Sequence, residues 1–161
     1  MTDPSPNMPP WAKKIDDHGK RWWDKEKPLK NRRGEYITAI IFNLIWLIIV
    51  NKVPDWDLKF INDHYPAILW ALNMNIFIQI GGNIIMLIFD VRFVRYLSRA
   101  ILEAANFLVL IILYYINPFD FSGIPGWTFL DWLIPWLLII GMVVSALKVL
   151  GNIWNLIFRR E

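Results

Sequence analysis

Residues 66–89 read PAILWALNMNIFIQIGGNIIMLIF, an unbroken stretch without a single charged side chain. About 20 apolar residues cross the hydrocarbon core of a bilayer as a helix. Proline at its start suits the first turn of a helix, where its missing N–H is not needed. The apolar residues are continuous instead of alternating, which argues against a β-barrel strand. The stretch therefore predicts a transmembrane helix.

Three further stretches, residues 36–53, 97–116 and 131–158, are also mostly apolar and long enough to span a bilayer. Residues 131–158 are too numerous for a simple crossing, so this helix either tilts or continues as a surface helix near Gly151. Pro135 is expected to kink it. The sequence predicts an all-α membrane protein, a four-helix transmembrane bundle over residues 36–161 preceded by a polar, basic cytoplasmic tail over residues 1–35.

The composition supports this class. Of the 161 residues, 56% are hydrophobic and 16% are aromatic, more apolar surface than a soluble domain of this length can bury. The absence of cysteine excludes disulfides, thiol catalysis and cysteine-ligated clusters.

The basic residues predict an orientation. Fifteen of the 17 Lys and Arg side chains fall in the tail, in residues 90–99 or at the C-terminal end, and two (Lys52 and Lys59) fall elsewhere. Cytoplasmic loops are enriched in Lys and Arg. We therefore expect a multi-pass protein of the cell membrane with both termini in the cytoplasm.

The tail carries a candidate membrane-binding face. Trp11, Ile15, His18 and Trp22 follow helical spacing, with basic residues beside them. Such a helix suits the anionic lipids of the inner leaflet. The alternative is a disordered polar tail whose charges set topology, and Gly19 favours it. Nucleic-acid binding is not expected, because acids and tryptophans are interspersed.

Three arginines (Arg92, Arg95 and Arg99) precede the third stretch at roughly one-turn spacing. Voltage sensors carry their arginines within the fourth helix, whereas these lie at the membrane edge before the third. We interpret them as membrane-surface anchors of the positive-inside type.

Polar side chains inside the apolar stretches are candidates for function. Their distances along the chain from the predicted cytoplasmic boundary place several at a similar depth. The predicted intramembrane polar layer consists of Asn43, Asn75, Gln79, Asn83, Glu103, Asn106 and Lys148. Hydrogen bonding between helices is the favoured role. A cation, proton or substrate site and a surface for a partner's helix are the alternatives.

No catalytic constellation is recognised. His18 and His64 fall on opposite sides of the predicted membrane, which excludes a haem held between helices. Ser122 lacks a nucleophile turn, and there is no phosphate-binding or dinucleotide motif. The external acids (Asp55, Asp57, Asp63, Asp120 and Asp131) are expected to be a solvated surface more often than a cation site. We expect no cofactor, no metal and no enzymatic activity.

The sequence therefore favours a non-enzymatic membrane subunit or scaffold that works through helix contacts and through its basic tail. The alternative is a minimal oligomeric ion channel or transporter that uses Glu103 and the layer of Asn and Gln side chains. In either case we expect the lipid bilayer as a partner, and homo- or hetero-oligomers.

Overall fold

The computed structural model describes residues 29–158, and the contacts below lie within the compact unit Arg33–Glu161. Four long helices follow one another: α1 (Leu29–Lys52), α2 (Tyr65–Ile88), α3 (Arg92–Ile116) and α4 (Phe129–Phe158), with a short 3₁₀ helix, Val53–Trp56, after α1. All four long helices are long and apolar enough to cross a membrane. The predicted all-helical class is confirmed for this part of the chain, which contains no strand.

Local sequence explains where the helices begin and end. Pro66 lies in the first turn of α2, and Pro54 lies in the 3₁₀ helix that follows α1. Helix α3 ends at Asn117, whose φ of 38° is left-handed, and the proline that follows disfavours further helix. The third helix begins at Arg92, five residues before the predicted start at 97. Its charged first turn is therefore helical too.

Helix α4 is continuous over 30 residues. It runs through Pro135, near its start, and through Gly151 without interruption. At 1.5 Å per residue its length is about 45 Å, against about 30 Å for the hydrocarbon core. A crossing helix of this length must tilt or extend beyond the core at one end.

The helices pack around α3. Helix α3 approaches α2 on one side and α4 on the other. Small buried side chains on α3, among them Ser98, Ala100 and Ala105, allow this close approach. The three helices α2, α3 and α4 thus form a row with α3 in the middle.

Helix α1 is attached differently, through side chains near its two ends. At one end Tyr36 packs with Met86 and Leu102 in a small buried cluster. At the other end the Tyr65 hydroxyl donates to the backbone carbonyl of Val50 at 2.9 Å. Along α1 the backbone does not approach the other described helices as closely as they approach one another. Space remains between α1 and the row.

The two loops at the Val50 end of the molecule are fastened to each other. The backbone N–H of Asn62 donates to the carbonyl of Pro118 at 2.9 Å, and that of Asp120 donates to the carbonyl of Phe60 at 3.0 Å. The ring of Phe60 stacks on that of Phe121, with centroids 5.3 Å apart. We call this contact between residues 60–62 and 117–121 the loop clasp. It joins the α1–α2 connection to the α3–α4 connection.

Candidate functional site

Three predicted polar residues meet between α2 and α3. Asn75 and Gln79 are one helical turn apart on α2, so their side chains share a face. Both donate to Asn106 Oδ1 on α3, each at 3.0 Å. Gln79 Nε2 also donates to the backbone carbonyl of Leu102 at 3.1 Å. These amides form a hydrogen-bonded junction between the two helices.

A glycine lets α2 and α3 approach beside this junction. A Cβ atom added at Gly82 would lie 2.6 Å from Cδ2 of Leu102 and 3.0 Å from its Cγ. Carbon atoms make no favourable contact at 2.6 Å, since their optimum is about 3.5–4.0 Å. The neighbouring Gly81 has nothing within 4 Å of the same position. Gly82 is therefore the α2 residue over which Leu102 packs.

A charged pair joins α3 to α4. Glu103 Oε1 lies 3.2 Å from Lys148 Nζ, and Glu103 Oε2 accepts a hydrogen bond from the Ser145 hydroxyl at 3.1 Å. The Lys148 side chain is 57% exposed and the Glu103 side chain 20%. One turn earlier, Gly141 packs against Leu110 of α3. Both carboxylate oxygens of Glu103 are thus used toward α4.

Two other members of the predicted layer bond within their own helices. Asn43 Nδ2 donates to the carbonyl of Ala39 at 2.8 Å, and Asn83 Nδ2 donates to the carbonyl of Gln79 at 2.7 Å. The structure therefore brings Asn75, Gln79 and Asn106 together, and Glu103 with Lys148, but it does not join the Asn43 side chain to either group.

A cavity of about 270 Å³ lies between α1 and the α2–α3 pair. Its lining includes two carboxylates (Glu35 and Glu103) and one guanidinium (Arg99). Amides of α2 and α3, among them Asn83 and Asn106, add neutral polar groups. The cavity exists because α1 is held away from α2 and α3 between its attachments.

The three arginines have different surroundings. Arg95, one of the three predicted membrane-surface arginines, is 4% exposed, and its Nη1 lies 3.4 Å from Asp90 Oδ1. Arg92 is half-buried, and its guanidinium lies 5.9 Å from the centroid of the Tyr96 ring. Arg99 is half-buried and lines the cavity. The burial of Arg95 is explained by its carboxylate partner, since a buried charge requires pairing.

Sequence reasoning missed this buried pair. Asp90 follows α2 directly and Arg95 lies in the first turns of α3, so the short connection brings them together. The Tyr36 hydroxyl donates to the same Asp90 oxygen at 3.3 Å, which adds α1 to the group. The sequence contained a signal for this pair, because Asp90 and Arg95 are only five residues apart and lie on either side of a predicted helix boundary.

Two acids near the loop clasp, Asp131 and Asp120, make local hydrogen bonds. Asp131 Oδ1 accepts the backbone N–H of Phe121 at 2.7 Å. Asp120 Oδ1 accepts the hydroxyl of Ser122 at 2.6 Å and its N–H at 3.0 Å, and these bonds, the hydroxyl's first, lower the pKa of Asp120. Within residues 29–158, no three His, Asp or Glu side chains are placed to hold a metal ion.

The predicted tail face of Trp11, Ile15 and Trp22 lies outside the described residues. Comparisons with protein-family models, with curated proteins and with solved structures give no match for this chain. The described residues define an all-helical protein with four helices that are long and apolar enough to span a membrane.

Proposed function

We propose that this protein is a multi-pass membrane protein of the cell membrane that acts as a non-enzymatic subunit or scaffold. It binds other membrane components through its helices, and its basic tail binds anionic lipid at the cytoplasmic surface. The proposal has three parts: membrane placement, orientation and a partner-binding role.

Exposed apolar side chains support the membrane placement. In the apolar stretch of each long helix, between 6 and 22% of the residues are buried within the chain. Soluble monomers rarely expose contiguous apolar patches of more than a few hundred Å². Lipid, or the helices of a partner, must therefore cover these surfaces.

The distribution of Lys and Arg supports an orientation with both termini cytoplasmic. A cysteine introduced at Ser5 is expected to react with a membrane-impermeant maleimide only after the cells are opened. A cysteine at Ser122, in the loop clasp region, is expected to react in intact cells. The wild-type chain has no cysteine and provides the background. Equal labelling of both sites in intact cells would overturn this topology.

The main support for the scaffold proposal is that the polar side chains form hydrogen bonds and an ion pair between helices. Asn75, Gln79 and Asn106 bond to one another, and Glu103 bonds to two residues of α4. These groups join neighbouring helices, as intramembrane amides commonly do. Polar contacts therefore join α2, α3 and α4 to one another, while α1 keeps a broad apolar face.

Helix α1 is the surface that we assign to a partner helix. Phe42, near its middle, is 68% exposed, whereas Val50 is 3% exposed. A photo-crosslinking residue at position 42 is expected to link the chain to one defined membrane protein in native membranes. The same residue at position 50 is the matched control and is expected to give no intermolecular product. The purified particle is expected to have the mass of a defined hetero-oligomer.

The result that would refute the scaffold role is a particle that contains this chain alone and gives no crosslinked protein at position 42. Failure of the cysteine labelling would instead refute the orientation, so the two parts of the proposal fail separately.

The cavity favours a second candidate, a minimal oligomeric channel or transporter. Glu35, Arg99 and Glu103 bring charge to a cavity between helices, and charged groups at such places mark ion and substrate pathways. The discriminating experiment is flux through the reconstituted protein. A symmetric homo-oligomer whose flux is abolished by Glu103→Gln, with the protein still folded, would replace the scaffold proposal with this one.

A further inference from the structure

The cavity between α1 and the α2–α3 pair has a charge pattern that points to a particular ligand. Its lining carries carboxylates from α1 and α3 and a guanidinium from α3, together with neutral amides. A simple anion would meet two carboxylates. A simple cation would meet Arg99, and Lys148 already lies 3.2 Å from Glu103. A ligand that carries both an anion and a cation can pair with the guanidinium and with the carboxylates.

The anion-binding half is Arg99, and the Asn106 amide is also in the lining. Within the described part of the chain, the Arg99 guanidinium has no hydrogen-bond or salt-bridge partner. The Oδ1 of Asn106 is occupied by two donors, whereas its Nδ2 has no acceptor among the described residues. Guanidinium and amide N–H groups are donors that suit phosphate or carboxylate oxygens.

The cation-binding half is Glu103, with Glu35 also in the lining. Glu103 holds Lys148 and Ser145 on the α4 side. An ionised carboxylate has about four lone-pair sites, so these two partners leave acceptor capacity for an ammonium N–H. On the α2 side the lining includes Asn83, which is 7% exposed.

The volume sets the size of the ligand. About 270 Å³ corresponds to roughly nine waters at about 30 Å³ each, and lies just below the usual range for small-molecule pockets. A single metal ion or a bare phosphate would leave most of this space to water. A group of several heavy atoms that bears an anion and an ammonium fits better.

We infer that this cavity binds a zwitterionic aminophosphate, with its phosphate on Arg99 and its primary ammonium toward Glu103. Two sources share this chemistry: the headgroup of an ethanolamine phospholipid and soluble phosphoethanolamine. The inference rests on the proposed membrane placement and not on the scaffold role.

The test uses the full chain purified in detergent and reconstituted in nanodiscs. Retention of ethanolamine phospholipid against choline phospholipid is measured by native mass spectrometry after mild delipidation. Choline lacks N–H donors and is larger by three methyl groups, so the Glu103→Gln variant is needed to identify the ammonium contact. Soluble phosphoethanolamine is then titrated against the detergent-purified protein by calorimetry, and competition identifies the source of the ligand.

Three variants and one control define the site. Arg99→Gln is expected to weaken binding of either source by roughly tenfold or more, since a charge-assisted hydrogen bond is lost. Glu103→Gln is expected to remove the preference for ethanolamine over choline. Ala39→Phe fills the cavity from α1 without changing charge and is expected to abolish binding. Arg92→Gln, on the same helix but outside the lining, is the matched control.

Thermal unfolding and particle mass show which variants remain folded, and Ala39→Phe keeps the test decisive if a charge variant does not fold. The inference is overturned if neither source binds the wild type or if Arg92→Gln and Arg99→Gln weaken binding equally. It is also overturned if choline and ethanolamine phospholipids are retained alike. These outcomes leave the cysteine labelling, and hence the membrane placement, unaffected.

Discussion

Replacing Gly82 with Ala tests the close contact between α2 and α3. The new methyl group would lie 2.6 Å from Cδ2 of Leu102, whose side chain is itself buried with Tyr36 and Met86. Leu102 must therefore rotate or the helices must separate. Overpacking of this kind costs about 1–3 kcal/mol.

The matched control is Gly81→Ala, one residue earlier in the same helix. Replacing Gly with Ala in a helix interior gains about 1 kcal/mol of helix propensity. This gain is common to both variants, and Gly81 has open space at the Cβ position. The difference between the two variants therefore isolates the overpacking term. We expect Gly82→Ala to be less stable than Gly81→Ala by about 1–3 kcal/mol.

The measurement is equilibrium unfolding by SDS in mixed micelles, followed by tryptophan fluorescence or circular dichroism. Leu102→Ala provides the cross-check because it removes the atoms that collide. In that background Gly82→Ala should cost little, so the two substitutions should be strongly non-additive. Equal stability of Gly81→Ala and Gly82→Ala would refute the predicted contact. A persistent cost of Gly82→Ala in the Leu102→Ala background would refute the assignment to Leu102.

Two further predictions concern charged groups, one pair between α3 and α4 and one carboxylate in the loop between these helices. We expect the Glu103–Lys148 pair to stabilise the α3–α4 contact. Lys148→Met should therefore lower the free energy of unfolding by about 0.5–1 kcal/mol more in the wild type than in the Glu103→Gln variant. Strictly additive losses of stability, measured by SDS unfolding, would contradict this. Carbon-13 NMR should give Asp120 a pKa below that of a free aspartate, because Ser122 bonds to its carboxylate, and Ser122→Ala should raise it. Because the pKa of Asp120 is lowered in the folded state, the stability that Asp120 contributes is present above about pH 4 and is lost as the pH falls through the folded-state pKa. An unchanged Asp120 pKa in Ser122→Ala would contradict the hydrogen bond from Ser122 as the cause.

The long apolar stretches could be predicted from sequence because composition and length suffice for a helix of this kind. Residues 66–89 hold no charge, and α2 occupies almost the same range. The start of α3 was missed because the segment from Arg92 to Tyr96 is not apolar. Arg95 in this segment pairs with Asp90, a contact that hydropathy does not contain.

The polar layer shows a different limit of sequence reasoning. Depth along a helix follows from counting residues, and this placed Asn43 and Asn106 at one level. Which direction a side chain faces relative to its neighbours depends on how the helices pack. Asn106 points at α2, whereas Asn43 bonds to its own backbone. The cavity was unpredictable for the same reason, because it depends on the distance between α1 and the row.

The loop clasp has a consequence for the order in which the chain assembles. The α2–α3 contacts involve helices joined by three residues and can form early, since nearby segments meet at low entropic cost. The stack of Phe60 on Phe121 joins positions about 60 residues apart. In the proposed topology both loops must first be carried across the bilayer, so the clasp closes after translocation. The clasp would then stabilise the protein only after insertion is complete. In a chain truncated after α2, α1 would have to stay in place without the clasp.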